Sequence, residues 1–219
     1  MAEMKPEKKS LINILVAEDD SYYQIPIYQR SYQWGKEQCE ELLNDLFENY
    51  EDHREDDYFC GSLVLIEIGT DSETNAKTYD VVDGQQRLST FILLAKVLAT
   101  LYPIKDDKCQ RYLQESWSDR SEDGEKKKRK RLDFELVGSS AKKDFQDALD
   151  FFDDLDASKG ENSKSNASSK DENSYLKNAI CLKNYLEKKR DCKTLTLSLN
   201  GFILRSISSP SPALIPTWH

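Results

Sequence analysis

The stretch YDVVDGQQRLSTFILLAKVL, Tyr79 to Leu98, constrains the fold more than any other part of the chain. Tyr79–Val82 reads as a short strand, and a helical period runs from Gln85 to Tyr102, stopping before Pro103. With Gln85 set at zero and about 100° per residue, Gln85, Ser89, Lys96 and Thr100 fall within about 60° of one another. That is the only polar stripe of any length, so most of the helix circumference must be buried. Arg87 projects near about 200°, on the side of Phe91, Leu94, Leu98 and Leu101. A guanidinium in the first turn meets the positive end of the helix dipole, which is unfavourable unless an anion comes close. Asp83, four residues earlier, can cap the helix and pair with Arg87. An external phosphate can instead be held by backbone amides, by the open approach at Gly84 and by the forked donor of Arg87. From these residues alone the two readings stand level.

The elements around this unit are shorter. Lys9 to Ala17 is expected to form a short helix. Tyr22 to Ile27 alternates as a strand, and Pro26, which cannot donate to a ladder, predicts that this strand lies at an edge or ends there. Lys36 to Tyr50 reads as a helix burying Leu42, Leu43, Leu46 and Phe47. The ten acids from Glu37 to Asp57 read as a solvated helix face rather than a cation site. Tyr58 to Ile68 is a predicted strand in which Gly61 marks a bulge or a close backbone approach. Asp71 to Lys77 is a turn, so Tyr58–Ile68 and Tyr79–Val82 make an antiparallel hairpin. Further on, Gln110–Trp117, Ala141–Phe152 and Tyr175–Lys189 have helical character. The basic run Lys126 to Arg131 reads as a solvated loop, and Ala157 to Asn173 as a flexible one.

A second constellation lies in IPIYQRSYQW, Ile25 to Trp34. If this segment stays extended, Tyr28, Arg30, Tyr32 and Trp34 face one way and Gln29, Ser31 and Gln33 the other. Aromatic faces with a guanidinium and amides suit a nucleobase; an edge strand burying its tyrosines under Arg30 is the simpler alternative.

Bulk properties exclude several classes. The 219 residues carry a net charge of −9, against strong non-specific nucleic-acid binding by the whole chain. Five cysteines without a C-x-x-C pair suit a reduced compartment, and only two histidines, His53 and His219, leave no ordinary zinc site or His-based catalytic centre. No signal peptide or bilayer-length apolar run is present, which predicts a cytoplasmic protein with no membrane partner.

The motifs together resemble the N-terminal domain of GmrS/GmrD-type modification-dependent restriction systems, a relative of the ParB/sulfiredoxin-like fold. The family pattern I-P-x-Y-Q-R-x-Y-x-W, then y-F-x-G-S, then D-G-Q-Q-R-L-[ST]-T is matched by Ile25–Trp34, Tyr58–Ser62 and Asp83–Thr90. The resemblance implies an α+β fold, a small mixed sheet packed on helices with additional C-terminal helices. It implies one nucleotide-handling domain over residues 9–190 (motif core 9–102, helical extension 103–190); the atypical tail, 191–219, departs from the pattern, as an inactive, truncated family member would. It further implies a nucleoside triphosphate, GTP or ATP with Mg2+, hydrolysed to control a nuclease acting on foreign or modified DNA. In that reading Arg87 meets phosphate charge and Asp83 holds a water directly or through metal. Gln85 and Gln86 orient water or phosphate oxygens, while Gly84 allows close backbone approach. Tyr28, Gln29, Arg30, Tyr32 and Trp34 supply the base pocket, or, in a non-enzymatic alternative, a sensor for DNA or a partner protein. No H-N-H pattern follows, so the nuclease is expected on a partner chain.

Overall fold

Helix α3, Gln85–Leu101, is the axis around which the rest is built. Leucine, isoleucine, phenylalanine and alanine cover nearly all its sides, and every residue from Leu88 to Ala99 is buried. A helix with so little polar surface must be enclosed by other elements. The computed structural model describes residues 4–9, 11–15, 21–52, 59–70, 72, 75–101, 113–114, 116–117, 130–135, 139–152, 173–190 and 213–218. Residues 126–129 of the basic run, residues 157–172, and Glu55, Asp56 and Asp57 of the acidic stretch lie outside these. So do half of Gln110–Trp117 and most of the 191–219 tail.

On one side of α3 lies a mixed sheet of six strands: β1 (Met4–Lys9), β2 (Ser21–Ile25), β3 (Val64–Thr70), β4 (Lys77–Asp83), β5 (Leu132–Phe134) and β6 (Ala213–Trp218). Their order is β1-β6-β3-β4-β2-β5. β3 and β4 form the expected antiparallel hairpin, with register shifts at Val64/Leu65 and Glu67/Gly69. β2 runs parallel to both β4 and β5. β6 runs parallel to β3 and antiparallel to β1.

The remaining helices are α1 (Leu11–Leu15), α2 (Lys36–Asp52), α4 (Ser139–Asp150) and α5 (Ser174–Arg190). α5 lies against α2, α3 and α4 and completes the helical layer. The core joins the sheet face carrying Tyr23, Ile25, Leu65, Val81, Leu132 and Phe134 to α3, Leu43 and Phe47 of α2, Phe145 of α4, and Leu182 and Leu186 of α5. The architecture is thus mixed α+β, a sheet packed on helices.

Of the two outcomes Pro26 allowed, the structure takes the second: β2 is an interior strand that ends there, with Pro26 one residue beyond its last paired position and removing no ladder donor. Two expectations change. Residues 26–35 are a turn and irregular chain, not an extended strand, so the alternation of their side chains is lost. Arg131, the end of the basic run, is buried: its Nη1 donates to Ser21 O at 2.7 Å, and its guanidinium lies 5.1 Å from the Tyr22 ring centroid.

Candidate functional site

The three parallel strands all end at one edge of the sheet, where β2 runs into Ile27–Gln29, β4 into Asp83–Gly84, and β5 into Glu135. Because β3 is antiparallel, its leading residues Gly61–Leu63 arrive at the same edge. Clefts at the carboxyl ends of parallel strands are where open α/β sheets collect functional groups.

Gly84 makes the turn. Its φ is +91°, and a Cβ would lie 2.9 Å from Ser62 O and from Leu63 Cδ1. Glycine is therefore needed here for conformation and for passage against the 62–63 backbone. Leu88 N–H donates to Gly84 O at 2.9 Å, opening the helix at Gly84 and leaving the first-turn N–H groups without helical partners.

Arg87 lies across this edge. Its Nη2 donates to Ser62 O at 2.6 Å and stands 3.9 Å from Asp83 Oδ2. A Cβ on Gly61, whose φ is +103°, would fall 2.2 Å from Arg87 Nη1. Gly61 is thus the notch that admits the guanidinium, and the G-S and D-G-Q-Q-R motifs form one unit. The Asp83 side chain is two-thirds exposed and that of Arg87 one-third. The ion pair between them is consequently weak and leaves both groups open to a ligand. Beside them, the Cys60 thiol is pushed up to about 11 by burial, a rise that Arg87 partly offsets.

The two glutamines turn inward. Gln85 Nε2 donates to Arg30 O at 2.8 Å. Gln86 Oε1 accepts from Gln33 N at 2.8 Å and Trp34 N at 3.2 Å, and its Nε2 donates to Ser31 O at 3.3 Å. Gln29 Nε2 donates to Val82 O at 2.7 Å. These amides tie the Tyr28–Trp34 segment down over the first turn of α3.

The aromatic segment is divided rather than gathered. Tyr28 and Arg30 are exposed, Gln29 and Trp34 half-buried, and Tyr32 is in the core. Tyr32 stacks on Tyr175 with ring centroids 4.2 Å apart, and Asn178 Nδ2 donates to its hydroxyl at 3.0 Å. The hydroxyl lies 2.7 Å from Thr90 Oγ1. Thr90 gives its own proton to Gln86 O at 2.8 Å, so Tyr32 donates to Thr90. The Tyr28 hydroxyl is raised by desolvation and by the nearby Asp80 and Glu135 carboxylates.

Among the described residues no three His, Cys, Asp or Glu are grouped to hold a metal. Mg2+ arriving with phosphates needs only one or two protein carboxylates. Asp83 is such a carboxylate in the turn. Asp80 Oδ1, on the same strand, is buried with no hydrogen-bond partner, as a cation or its water would satisfy. The residues fit a metal delivered by its ligand.

A protein-family model, GmrSD restriction endonuclease, N-terminal domain, matches residues 11–211. The chain belongs to the GmrSD N-terminal domain family. The match runs past the Asp83–Thr90 motif and both later helices into the 191–219 segment, whose Ala213–Trp218 is strand β6. No curated protein matches the chain. Membership makes this a module of a restriction, and hence defence, system. Among the described residues no helix is long and apolar enough to cross a membrane.

Sequence reasoning missed Ser62 as the acceptor for Arg87, and Asn178 as the anchor of Tyr32 and Trp34. An asparagine within a helical apolar pattern was the available signal for Asn178; a backbone carbonyl leaves none.

Proposed function

We propose that the Asp83–Arg87 edge binds a nucleoside triphosphate, GTP or ATP, and hydrolyses it to regulate the nuclease of a restriction system acting on foreign or modified DNA. The observation carrying this reading is the placement of Arg87. A part-exposed guanidinium is fixed by Ser62 O at the open N-terminus of α3, with the Asp83 carboxylate 3.9 Å away. Helix N-H groups and a guanidinium fork suit phosphate oxygens, and a carboxylate suits a water or phosphate-borne cation.

Hydrolysis joins a water oxygen to the γ-phosphorus, breaks the bond to the β–γ bridging oxygen, and yields the diphosphate, inorganic phosphate and a proton. Such chemistry rests on positioning and charge stabilisation, so it needs no histidine. Arg87 balances charge developing on the γ-phosphoryl oxygens and Asp83 orients the water. Mg2+, when bound, neutralises phosphate charge. Gln85 and Gln86 act by holding the 30–34 backbone against the first turn of α3; Tyr28 is the exposed aromatic available to a base.

The test is phosphate release from GTP and ATP with Mg2+. Arg87→Ala is expected to lower turnover at least 100-fold, and Asp83→Asn at least tenfold, with far-UV circular dichroism unchanged. Nucleotide binding without turnover, or turnover indifferent to Arg87→Ala, would sink the proposal.

A further inference from the structure

A groove of about 1120 Å³ runs between α2 and α5 and shares no lining residue with the Asp83–Arg87 edge. Its charge is opposite to that of the whole chain. Lys36, Lys177, Lys188 and Lys189 line it, against one acid, Glu40, in a protein of net charge −9. The other acids of α2's first turns, Glu37, Glu41 and Asp45, do not line it.

The cations are strung out rather than converging. Lys177, Cys181, Asn184 and Lys188 follow one another at helical spacings of four, three and four, which makes a single stripe. Lys177 and Lys188 are both exposed and stand about 16 Å apart along the axis. Lys189 Nζ sits 5.7 Å from the Phe47 ring centroid and 5.8 Å from that of Tyr185. Trp34 is half-buried at the groove's head, where its carbonyl accepts from Asn178 Nδ2 at 2.7 Å and its amide is held by Gln86 Oε1. That wall is therefore set before any ligand arrives.

Spaced cations beside an indole whose backbone is held, with the exposed Asn184 amide between them, match a chain of phosphates bearing planar bases. A single compact anion would want its cations gathered at one point, and an acidic peptide would make no use of the indole. We infer that the α2–α5 groove is a binding site for single-stranded nucleic acid, recognised through its backbone and by stacking on Trp34. The site is independent of the nucleotide edge and stands or falls without it.

The test is fluorescence anisotropy of a labelled oligothymidylate of twelve nucleotides with the full chain across 50–200 mM salt. Lys177→Glu/Lys188→Glu, two exposed positions, is expected to weaken binding at least tenfold and to reduce the salt slope by about 1.4, two single-strand phosphate contacts. Trp34→Ala is expected to weaken binding five- to tenfold with little change in slope. Arg87→Ala is expected to bind as the parent does, whatever its turnover. No measurable binding by the parent at 50 mM salt would overturn the inference. So would an unchanged Lys177→Glu/Lys188→Glu variant, or tighter binding of a twelve-residue polyglutamate or of a duplex of the same length.

Discussion

Gly61 and Arg87 are better treated as one feature than as two residues. The glycine adopts a φ of +103°, where a side chain is strained, and the space a Cβ would need is filled by Arg87. Gly61→Ala is therefore expected to cost about 1–3 kcal/mol from backbone strain, with a further loss from displacing the guanidinium from Ser62 O. Urea unfolding measures the sum. Because the clash exists only while Arg87 is present, Gly61→Ala should cost less in an Arg87→Ala background. A coupling of at least 0.5 kcal/mol in that cycle is expected; strict additivity would show that the notch is not shaped around the arginine. The question posed by a cation at a helix start thus has a partial answer in the protein itself. A carbonyl takes one arm of the fork, and Asp83 is near enough to compensate but too exposed to saturate it.

At the scale of elements, the 30–34 segment is held by partners more than fifty residues away in the chain: Gln85 and Gln86 on one side, Asn178 on the other. Gln86→Leu keeps bulk but leaves the N–H groups of Gln33 and Trp34 without their acceptor, which is expected to cost about 1–3 kcal/mol. Hydrogen exchange is the sharper measurement, since these two amides should lose protection while those of α2 keep theirs. Equal protection in parent and variant would mean the segment is fixed by packing alone. The same long-range control explains what could be read from the chain and what could not. α3, the β3–β4 hairpin and the buried stripe of α2 were legible because local periodicity and global packing agree there. The Tyr28–Trp34 spacing suits a strand, yet side-chain amides from distant helices impose another path, and no local pattern announces them. β5, three residues following a basic run, is too short to carry a period. Pro26 left β2 either at an edge or ending there, because a proline one residue past a strand and one inside it look alike in sequence.

For the molecule as a whole, the apolar layer between sheet and helices encloses groups that resist ionisation. Burial pushes the Cys39 thiol up to about 12, with Cys181 nearby adding to it, and Cys60 up to about 11, from an ordinary 9.0. Burial likewise raises Tyr32 and Tyr175. In each case the folded state holds its proton more tightly than the unfolded chain. The unfolded chain therefore loses protons first, and the slope of stability against pH is negative above the unfolded value. The contribution is complete below about pH 8 and is lost as pH climbs through 9 toward the folded values. For the two thiols together, roughly 2–3 kcal/mol should disappear between pH 8 and pH 10. Urea titrations under reducing conditions at the two pH values measure this. Cys39→Ala removes the deepest of these thiols and should flatten the fall by about 1 kcal/mol, after allowance for its own cavity cost at pH 8. If the variant instead declines as steeply as the parent, the alkaline fall does not run through Cys39, and self-repulsion of the chain's net charge of −9, which would survive the substitution untouched, takes its place.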